Sequence, residues 1–267
     1  MIYDMNKTFC LGDIHGNYKA LKQVLEKSNF DYDNDILITL GDIVDGWSDT
    51  YKCVEELLKI KNRIDIKGNH DGWFHEFLQH GIHPVNWSQG GYGTAKSYLR
   101  EIDKEHLIHP KINGYVTALN PDDIPPEHQN FFKKQVLYYL DDKNRCFVHG
   151  GFNRHVAFKG QGENVYCWDR DLWLSALSFK DMPSKGKYGE EKPYKFKMRE
   201  NFDMVFIGHT STINWNTTEP MKAANIINLD TGGGFDGKLT LMNVDDTSEY
   251  YQSDFGKILY PDEKGRN

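Results

Sequence analysis

Thr8-Phe9-Cys10-Leu11-Gly12-Asp13-Ile14-His15-Gly16 is a short apolar run that stops on Gly-Asp-Ile-His-Gly. The same form returns at Ile36-Leu37-Ile38-Thr39-Leu40-Gly41-Asp42, and again at Ile64-Asp65-Ile66-Lys67-Gly68-Asn69-His70-Asp71. Apolar runs this short, closed by glycine, read as buried strands. Between the first two, Tyr18 to Ser28 carries apolar residues at 18, 21, 24 and 25, the spacing of one helix face. Between the second and third, Tyr51 to Ile60 repeats that spacing with Val54, Leu57 and Leu58. Strand, helix, strand, helix, strand predicts parallel strands joined by crossover helices, an α/β fold.

Downstream the pattern changes. Residues 72–140 hold aromatics, Gly90-Gly91, Pro125-Pro126 and two helical stretches, near Thr94–Ile102 and Glu127–Tyr138. They read as a helical elaboration beside the sheet. Cys146 to Val148 is a strand ending in His149-Gly150-Gly151, and Val205 to Ile207 another ending in Gly208-His209-Thr210. Residues 153–200 are polar and loop-rich around a short helix, Leu172 to Leu177. Ile226 to Leu229 runs into Asp230-Thr231-Gly232, and Leu239–Val244 and Glu249–Gln252 read as closing antiparallel strands. No repeat or low-complexity linker interrupts the chain, so residues 1–267 are expected to form one domain.

Composition narrows the function. The formal net charge is −7, which argues against non-specific nucleic-acid binding, since that needs a basic face. The run Lys185, Lys187, Lys192, Lys195 and Lys197 reads as a solvated loop. Cys10, Cys53, Cys146 and Cys167 form no CxxC pair and suit small buried residues of a reducing compartment. No stretch approaches the roughly 18 apolar residues of a membrane span, and no apolar signal core opens the chain. The expected location is the cytoplasm. Oligomeric state is not encoded in any of these features.

Five apolar runs thus end in glycine or histidine beside a metal-capable side chain: Asp13 and His15, Asp42, Asn69 with His70, His149, and His209. In open α/β sheets ligands gather at the carboxyl ends of strands, so these residues are expected to converge. Each piece alone fits an ordinary turn; five in this order do not. Carboxylate, imidazole and amide together suit manganese, zinc or iron better than calcium. They exceed the needs of one tetrahedral ion. Two divalent cations about 3.5–4 Å apart, sharing one carboxylate, fit the set and would bind phosphate oxygens.

The order GDIHG, GDIVD, GNHD, HGG, GHT, from residue 12 to about 234, resembles the calcineurin-like phosphoprotein phosphatases, in their bacterial and phage-like branch. The resemblance implies a metallo-dependent phosphatase fold, a central β-sandwich flanked by helices with paired metals above it. It implies that Asp13, His15 and Asp42 hold one ion, that Asp42 bridges, and that Asn69, His149 and His209 hold the second. Manganese is the expected metal, with zinc or iron as alternatives. His70 would be the general acid, oriented by Asp45, while a metal-bridging hydroxide attacks in line. The implied reaction is hydrolysis of a phosphate monoester on a protein or a small molecule. Dinucleoside polyphosphate hydrolysis, or a phosphodiesterase or nuclease activity, is the alternative on the same metal core.

Two positions depart from the family pattern. Gly46 stands where GDxVDRG has arginine, and Asp71 where the family usually has Glu. The absent arginine removes a phosphate clamp. Arg170, in Cys167-Trp168-Asp169-Arg170-Asp171, is the candidate substitute, against a salt bridge to Asp169 or Asp171; Arg154 is a further candidate. Asp230 suits either support of a histidine ligand or a tight glycine turn, and Trp47, Trp73 and Trp87 suit core packing before a cleft wall. Ser211 stands where related nucleases carry a second histidine, and Asp45 where purple acid phosphatases carry tyrosine. A non-catalytic scaffold would be expected to lack His70 or part of the ligand set.

Overall fold

The computed structural model describes residues 6–83, 85–112, 114–182 and 195–266. In chain order the elements begin β1 (Thr8–Leu11), α1 (Tyr18–Lys27), β2 (Ile36–Thr39), α2 (Thr50–Leu58), β3 (Asn62–Asp65) and α3 (Asn69–His80). Then come α4 (Gly91–Glu101), a hairpin of β4 (Ile108–Lys111) and β5 (Gly114–Thr117), α5 (Pro126–Lys134), β6 (Tyr138–Leu140) and β7 (Arg145–Val148). The rest is α6 (Glu163–Trp168), α7 (Asp171–Asp181), β8 (Met204–Ile207), β9 (Met221–Ala223), β10 (Ile226–Asn228), β11 (Thr240–Asn243), β12 (Tyr250–Gln252) and α8 (Gly256–Leu259).

The first sheet runs β12-β11-β1-β2-β3. Its β1, β2 and β3 are parallel, with Phe9 opposite Leu37 and Ile38 opposite Ile64, as strand–helix alternation predicts. Strand β11 closes the other side of β1 antiparallel, and β12 pairs antiparallel outside it. The second sheet runs β6-β7-β8-β10-β9, with β7, β8 and β10 parallel and the two edges antiparallel. Cys10, Ile38, Leu40 and Ile66 of one sheet meet Phe147, Phe206, Ile227 and Leu229 of the other. Phe147 and Phe206 stack at 4.9 Å with their planes 5° apart. Successive residues point to opposite faces, so Phe9, Leu11 and Leu37 pack outward beneath the helices while Cys10 and Ile38 pack inward. Burial on both faces is why these strands read as continuous apolar runs. The architecture is a β-sandwich flanked by helices.

Local chemistry sets the element ends. Asn17 caps α1 by accepting from Ala20 N at 3.1 Å, and Ala20, Leu21, Val24 and Leu25 bury its inner face. Helix α3 starts inside the Gly68-Asn69-His70 motif, because Asp71 accepts from Gly68 N at 3.1 Å and caps it. The helix expected over Glu127–Tyr138 stops at Lys134; Gln135 turns extended, and Tyr138 begins a strand paired to β7. The short helix expected at Leu172–Leu177 runs from Asp171 to Asp181, and α6 adds a second helix to a stretch read as loop. The four cysteines are free and buried. Lys195 and Lys197 are exposed, while Lys185, Lys187 and Lys192 fall outside the described residues. Among the described residues no helix is long and apolar enough to cross a membrane.

Candidate metal centre and active site

Loops after β1, β2, β7 and β8, with the start of α3, meet at one edge of the sandwich. Asp13, His15 and Asp42 form one cluster and Asp42, His149 and His209 a second, each with its ligand atoms within 4.8 Å of one another. Asp42 belongs to both. His15, Asp42 and His209 have φ of 50°, 50° and 65°, a left-handed backbone that costs non-glycine residues energy and concentrates at functional sites. Space around them is reserved by glycines. A Cβ on Gly68 would lie 2.1 Å from Asp42 Oδ1, and one on Gly208 2.1 Å from Asp13 Oδ1.

Two of the cluster imidazoles are held by their far nitrogen. His15 Nδ1 is 2.9 Å from Val44 O, and His149 Nδ1 is 2.7 Å from Leu40 O, so both present Nε2 to the cluster. There His15 Nε2 is 3.6 Å and His149 Nε2 3.4 Å from Asp42 Oδ2, and Asn69 Oδ1 is 3.1 Å from His149 Nε2. Asp13 Oδ2 accepts from His209 N at 3.0 Å. Asp13 Oδ1 and His209 Nε2 are buried with no hydrogen-bond partner. Buried polar atoms are rarely left so, and two orphaned acceptors aimed into a carboxylate–imidazole cluster fit divalent cations.

Electrostatics agree. Burial raises the Asp13 carboxyl well above its usual range, and Asp230 and Asp42 push it further. Burial alone would also raise Asp42, but the His149 and His70 imidazoles outweigh it and hold Asp42 well below the carboxylate range. His149 is desolvated, yet Asp42 lifts it to about 9. Burial, then the charge of His149, takes His209 down to about 2. Carboxylates this crowded call for cationic charge between them.

Beside the cluster His70 Nδ1 is 2.8 Å from Asp45 Oδ2, with both side chains buried. Asp45 Oδ1 accepts from Trp87 Nε1 at 2.7 Å and Thr94 Oγ1 at 2.9 Å. A carboxylate beside an imidazole ordinarily favours the charged ring. Burial instead lowers His70 to about 3 and raises Asp45 well above its usual range. Desolvation of both partners exceeds their mutual attraction. Orientation of the ring, rather than its charge, is what the Asp45 contact supplies.

Arg170 precedes α7, is exposed, and forms no ion pair with Asp169 or Asp171; Asp169 Oδ1 instead accepts from Leu172 N at 2.9 Å. Its charge is felt by His209, and it feels Asp42 and Asp230. Arg154 is engaged elsewhere: Nη1 donates to Lys197 O at 2.7 Å, and the guanidinium lies 4.7 Å from the Phe196 ring. Asp230 Oδ1 accepts from Gly232 N at 3.1 Å, the turn geometry. Trp47, Trp73 and Trp87 are all buried, and Trp73 also lies 4.5 Å from the His70 ring and 5.5 Å from Trp168. Asp71 Oδ1 accepts from Ile43 N at 2.8 Å, tying the second strand-end loop to the third. Thr94 and Arg266 are site residues that the sequence did not signal; Arg266 Nη1 is 3.2 Å from His15 Nε2.

Residues 7–212 match the calcineurin-like phosphoesterase family. The symmetrical bis(5'-nucleosyl)-tetraphosphatase of Coxiella burnetii (strain RSA 331 / Henzerling II) is 25% identical over 268 aligned positions, covering 89% of this chain and 88% of that relative. The protein of the same name from Buchnera aphidicola subsp. Schizaphis graminum (strain Sg) is 26% identical over 283 positions, 92% and 97% of the two chains. A solved structure of a candidate diadenosine tetraphosphatase superposes with a TM-score of 0.58 at 15% identity, covering 94% of this chain and 95% of that one. That likeness shows a common fold. With most of its length matched, the chain belongs to the calcineurin-like phosphoesterase family, hydrolases of phosphoesters for which a dinuclear divalent metal centre is implied.

Proposed function

We propose that this chain hydrolyses dinucleoside polyphosphates, cutting a tetraphosphate at its centre into two nucleoside diphosphates. The observation that carries the reading is the pair of relatives, matched along nearly their whole length, that bear the name symmetrical tetraphosphatase. A cavity of about 550 Å³, bordered by Lys96, Lys264 and Arg266 but also by Asp262 and Glu263, is of a size usual for small-molecule sites. Arg266 is the cation of that cavity that reaches the ligand cluster, with Nη1 3.2 Å from His15 Nε2.

In this reading Asp13, His15 and Asp42 hold one divalent cation, and Asp42, Asn69, His149 and His209 hold a second. Manganese suits the donor set, as do zinc and iron. Bound cations neutralise phosphate oxygens and lower the pKa of the attacking water. Val44 O and Leu40 O keep His15 and His149 turned inward, Arg170 binds a phosphate oxygen, and His70 Nε2 carries the proton for the departing oxygen. Arg154, already engaged with the 196–197 backbone and ring, has no part in it. Residues 1–267 act as one domain, with the stretches 72–140 and 153–200 shaping substrate access. The cytoplasm, where unpaired cysteines stay reduced, is the compartment it suits.

The Asp45–His70 pair favours phosphomonoester hydrolysis as a second reading. A nucleoside diphosphate departs as a stable anion and needs little help from an acid, whereas a seryl alkoxide needs the proton. One experiment separates the two. Manganese-loaded enzyme is given diadenosine tetraphosphate or a phosphoserine peptide, and products are resolved chromatographically. ADP as sole nucleotide product, at a kcat/KM at least tenfold above the peptide's, is expected. AMP with ATP, or a preference for the peptide, overturns the reading.

A further inference from the structure

Arg266 reaches the cluster through a slot made by two glycines. A Cβ on Gly46 would lie 3.2 Å from Arg266 Cγ, and one on Gly234 3.0 Å from Arg266 Cδ. Gly46 has φ of +132°. Where a side chain at 46 would stand, the stem of Arg266 runs instead.

The segment that carries Arg266 is fastened to the residues after Asp45. Tyr260 stacks on Trp47 at 5.1 Å and donates to Asp49 Oδ2 at 2.9 Å. Glu263 accepts from Ser48 N at 3.0 Å and Ser48 Oγ at 2.6 Å. Arg266 N donates to Gly234 O at 2.9 Å, and its guanidinium lies 4.8 Å from the Phe235 ring. Its Nε is buried without a partner, and it enters no ion pair among the described residues. Burial, and next the charge of Arg266, make Arg170 easier to deprotonate. An arginine at the edge of the ligand cluster, with its Nε unpartnered and no ion pair among the described residues, describes a receptor for an anion.

We propose that Arg266 is a substrate-binding residue, donating through its guanidinium to a phosphate oxygen of the substrate in concert with Arg170. The inference rests on the phosphoester-hydrolase reading of the site and names the group that fills the place left by Gly46. Arg266 Nη1 now lies against His15 Nε2, which has one lone pair because Nδ1 faces Val44 O. A cation held by His15 takes that lone pair and leaves the Nη hydrogens to the phosphate. Binding of metal and the phosphate contact of Arg266 are therefore compatible, while the His15–Arg266 contact and metal are not.

The test compares wild type, Arg266→Ala and Arg266→Gln, all manganese-loaded, with inorganic phosphate as the probe. Calorimetric affinity for phosphate, metal content by elemental analysis, and KM for diadenosine tetraphosphate are measured. Arg266→Gln keeps most of the stem over Phe235, so it covers the case in which the alanine variant folds poorly. Both variants are expected to keep full metal and to bind phosphate about tenfold or more weakly, since a charge-assisted bond is lost. KM should rise more than kcat falls. Phosphate affinity equal to wild type in Arg266→Gln overturns the proposal, as does loss of metal in parallel with phosphate. If phosphate binding depends on Arg266 but diadenosine tetraphosphate is not cleaved, the substrate reading fails and this one stands. Cleavage with unchanged phosphate affinity does the reverse.

Discussion

On the proposed reading, His70 is a residue whose worth depends on the substrate. With Nδ1 fixed 2.8 Å from Asp45 Oδ2, Nε2 is the ring nitrogen left to pass a proton to a leaving oxygen. General-acid help contributes about 10²–10⁴-fold when the leaving oxygen is a poor one. Nitrophenolate and nucleoside diphosphates leave without it. His70→Asn should therefore retain metal and slow alkyl phosphate hydrolysis within that range, while slowing nitrophenyl phosphate and diadenosine tetraphosphate far less. The ratio of kcat/KM values across the three substrates decides it, and equal losses would assign His70 to phosphate positioning. Thr94 acts one step behind. Its hydroxyl lies 2.8 Å from Asp45 N and 2.9 Å from Asp45 Oδ1, so Thr94→Val should reproduce the His70→Asn substrate pattern at smaller amplitude. A Thr94→Val variant that slows all three substrates alike would make this hydrogen bond merely structural. Arg170→Ala should leave metal content intact and cost about tenfold or more in kcat/KM, the loss of one charge-assisted bond. An unchanged kcat/KM removes Arg170 from the site.

At the scale of elements, a strand end is a device for placing a side chain without room for error. Gly208 closes β8 and its Cα lies against Asp13; an added Cβ would stand 2.1 Å from Oδ1. Gly208→Ala should thus displace the Asp13 carboxylate and lower metal content while unfolding remains cooperative. Full metal in a folded Gly208→Ala protein would show that the contact relaxes. Such devices are legible in sequence because they are local: a buried run, a glycine and a ligand fall within a few residues, as in Leu11-Gly12-Asp13. What was not legible is long-range or two-faced. Trp87 and Thr94 meet Asp45 across 42 and 49 positions, and Arg266 meets His15 across 251. No local pattern marks such a meeting. Asn69-His70 taken alone fits a turn, yet Asp71 caps α3 and makes it a helix start. Tyr138-Tyr139-Leu140 continues the helical spacing of α5, but pairing with β7 claims it for the sheet.

At the scale of the whole molecule, the sandwich holds its ligands together whether or not they repel. The two sheets pack through Phe147, Phe206, Leu40 and Leu229, rigid layers that leave little room to relax a crowded edge. Asp13 bears that crowding: it is 2% exposed, its Oδ1 has no partner, and burial followed by the charges of Asp230 and Asp42 raises its pKa well above the usual value. A carboxyl raised on folding is stabilising when protonated, so its contribution is fully present below the unfolded pKa of about 3.9 and is lost as pH rises through the folded pKa. At neutral pH, above the unfolded pKa, the metal-free protein therefore bears the destabilising side of that shift. Asp13→Asn removes it and can keep the 3.0 Å bond from His209 N through its amide oxygen. In chelator at pH 7 the variant should be more stable than wild type by about 1–3 kcal/mol, because it no longer buries an ionisable carboxyl beside Asp230 and Asp42. Saturating manganese should reverse the order. Wild type gains about 4.1 kcal/mol at a thousandfold excess over Kd, more than the variant's lead, while the variant, lacking a ligand, gains less. Denaturant unfolding of both proteins, with chelator and with manganese, measures all four values. A variant less stable than wild type in chelator would mean that Asp13 is satisfied in the metal-free fold. A variant stabilised by manganese as much as wild type would remove Asp13 from the metal centre.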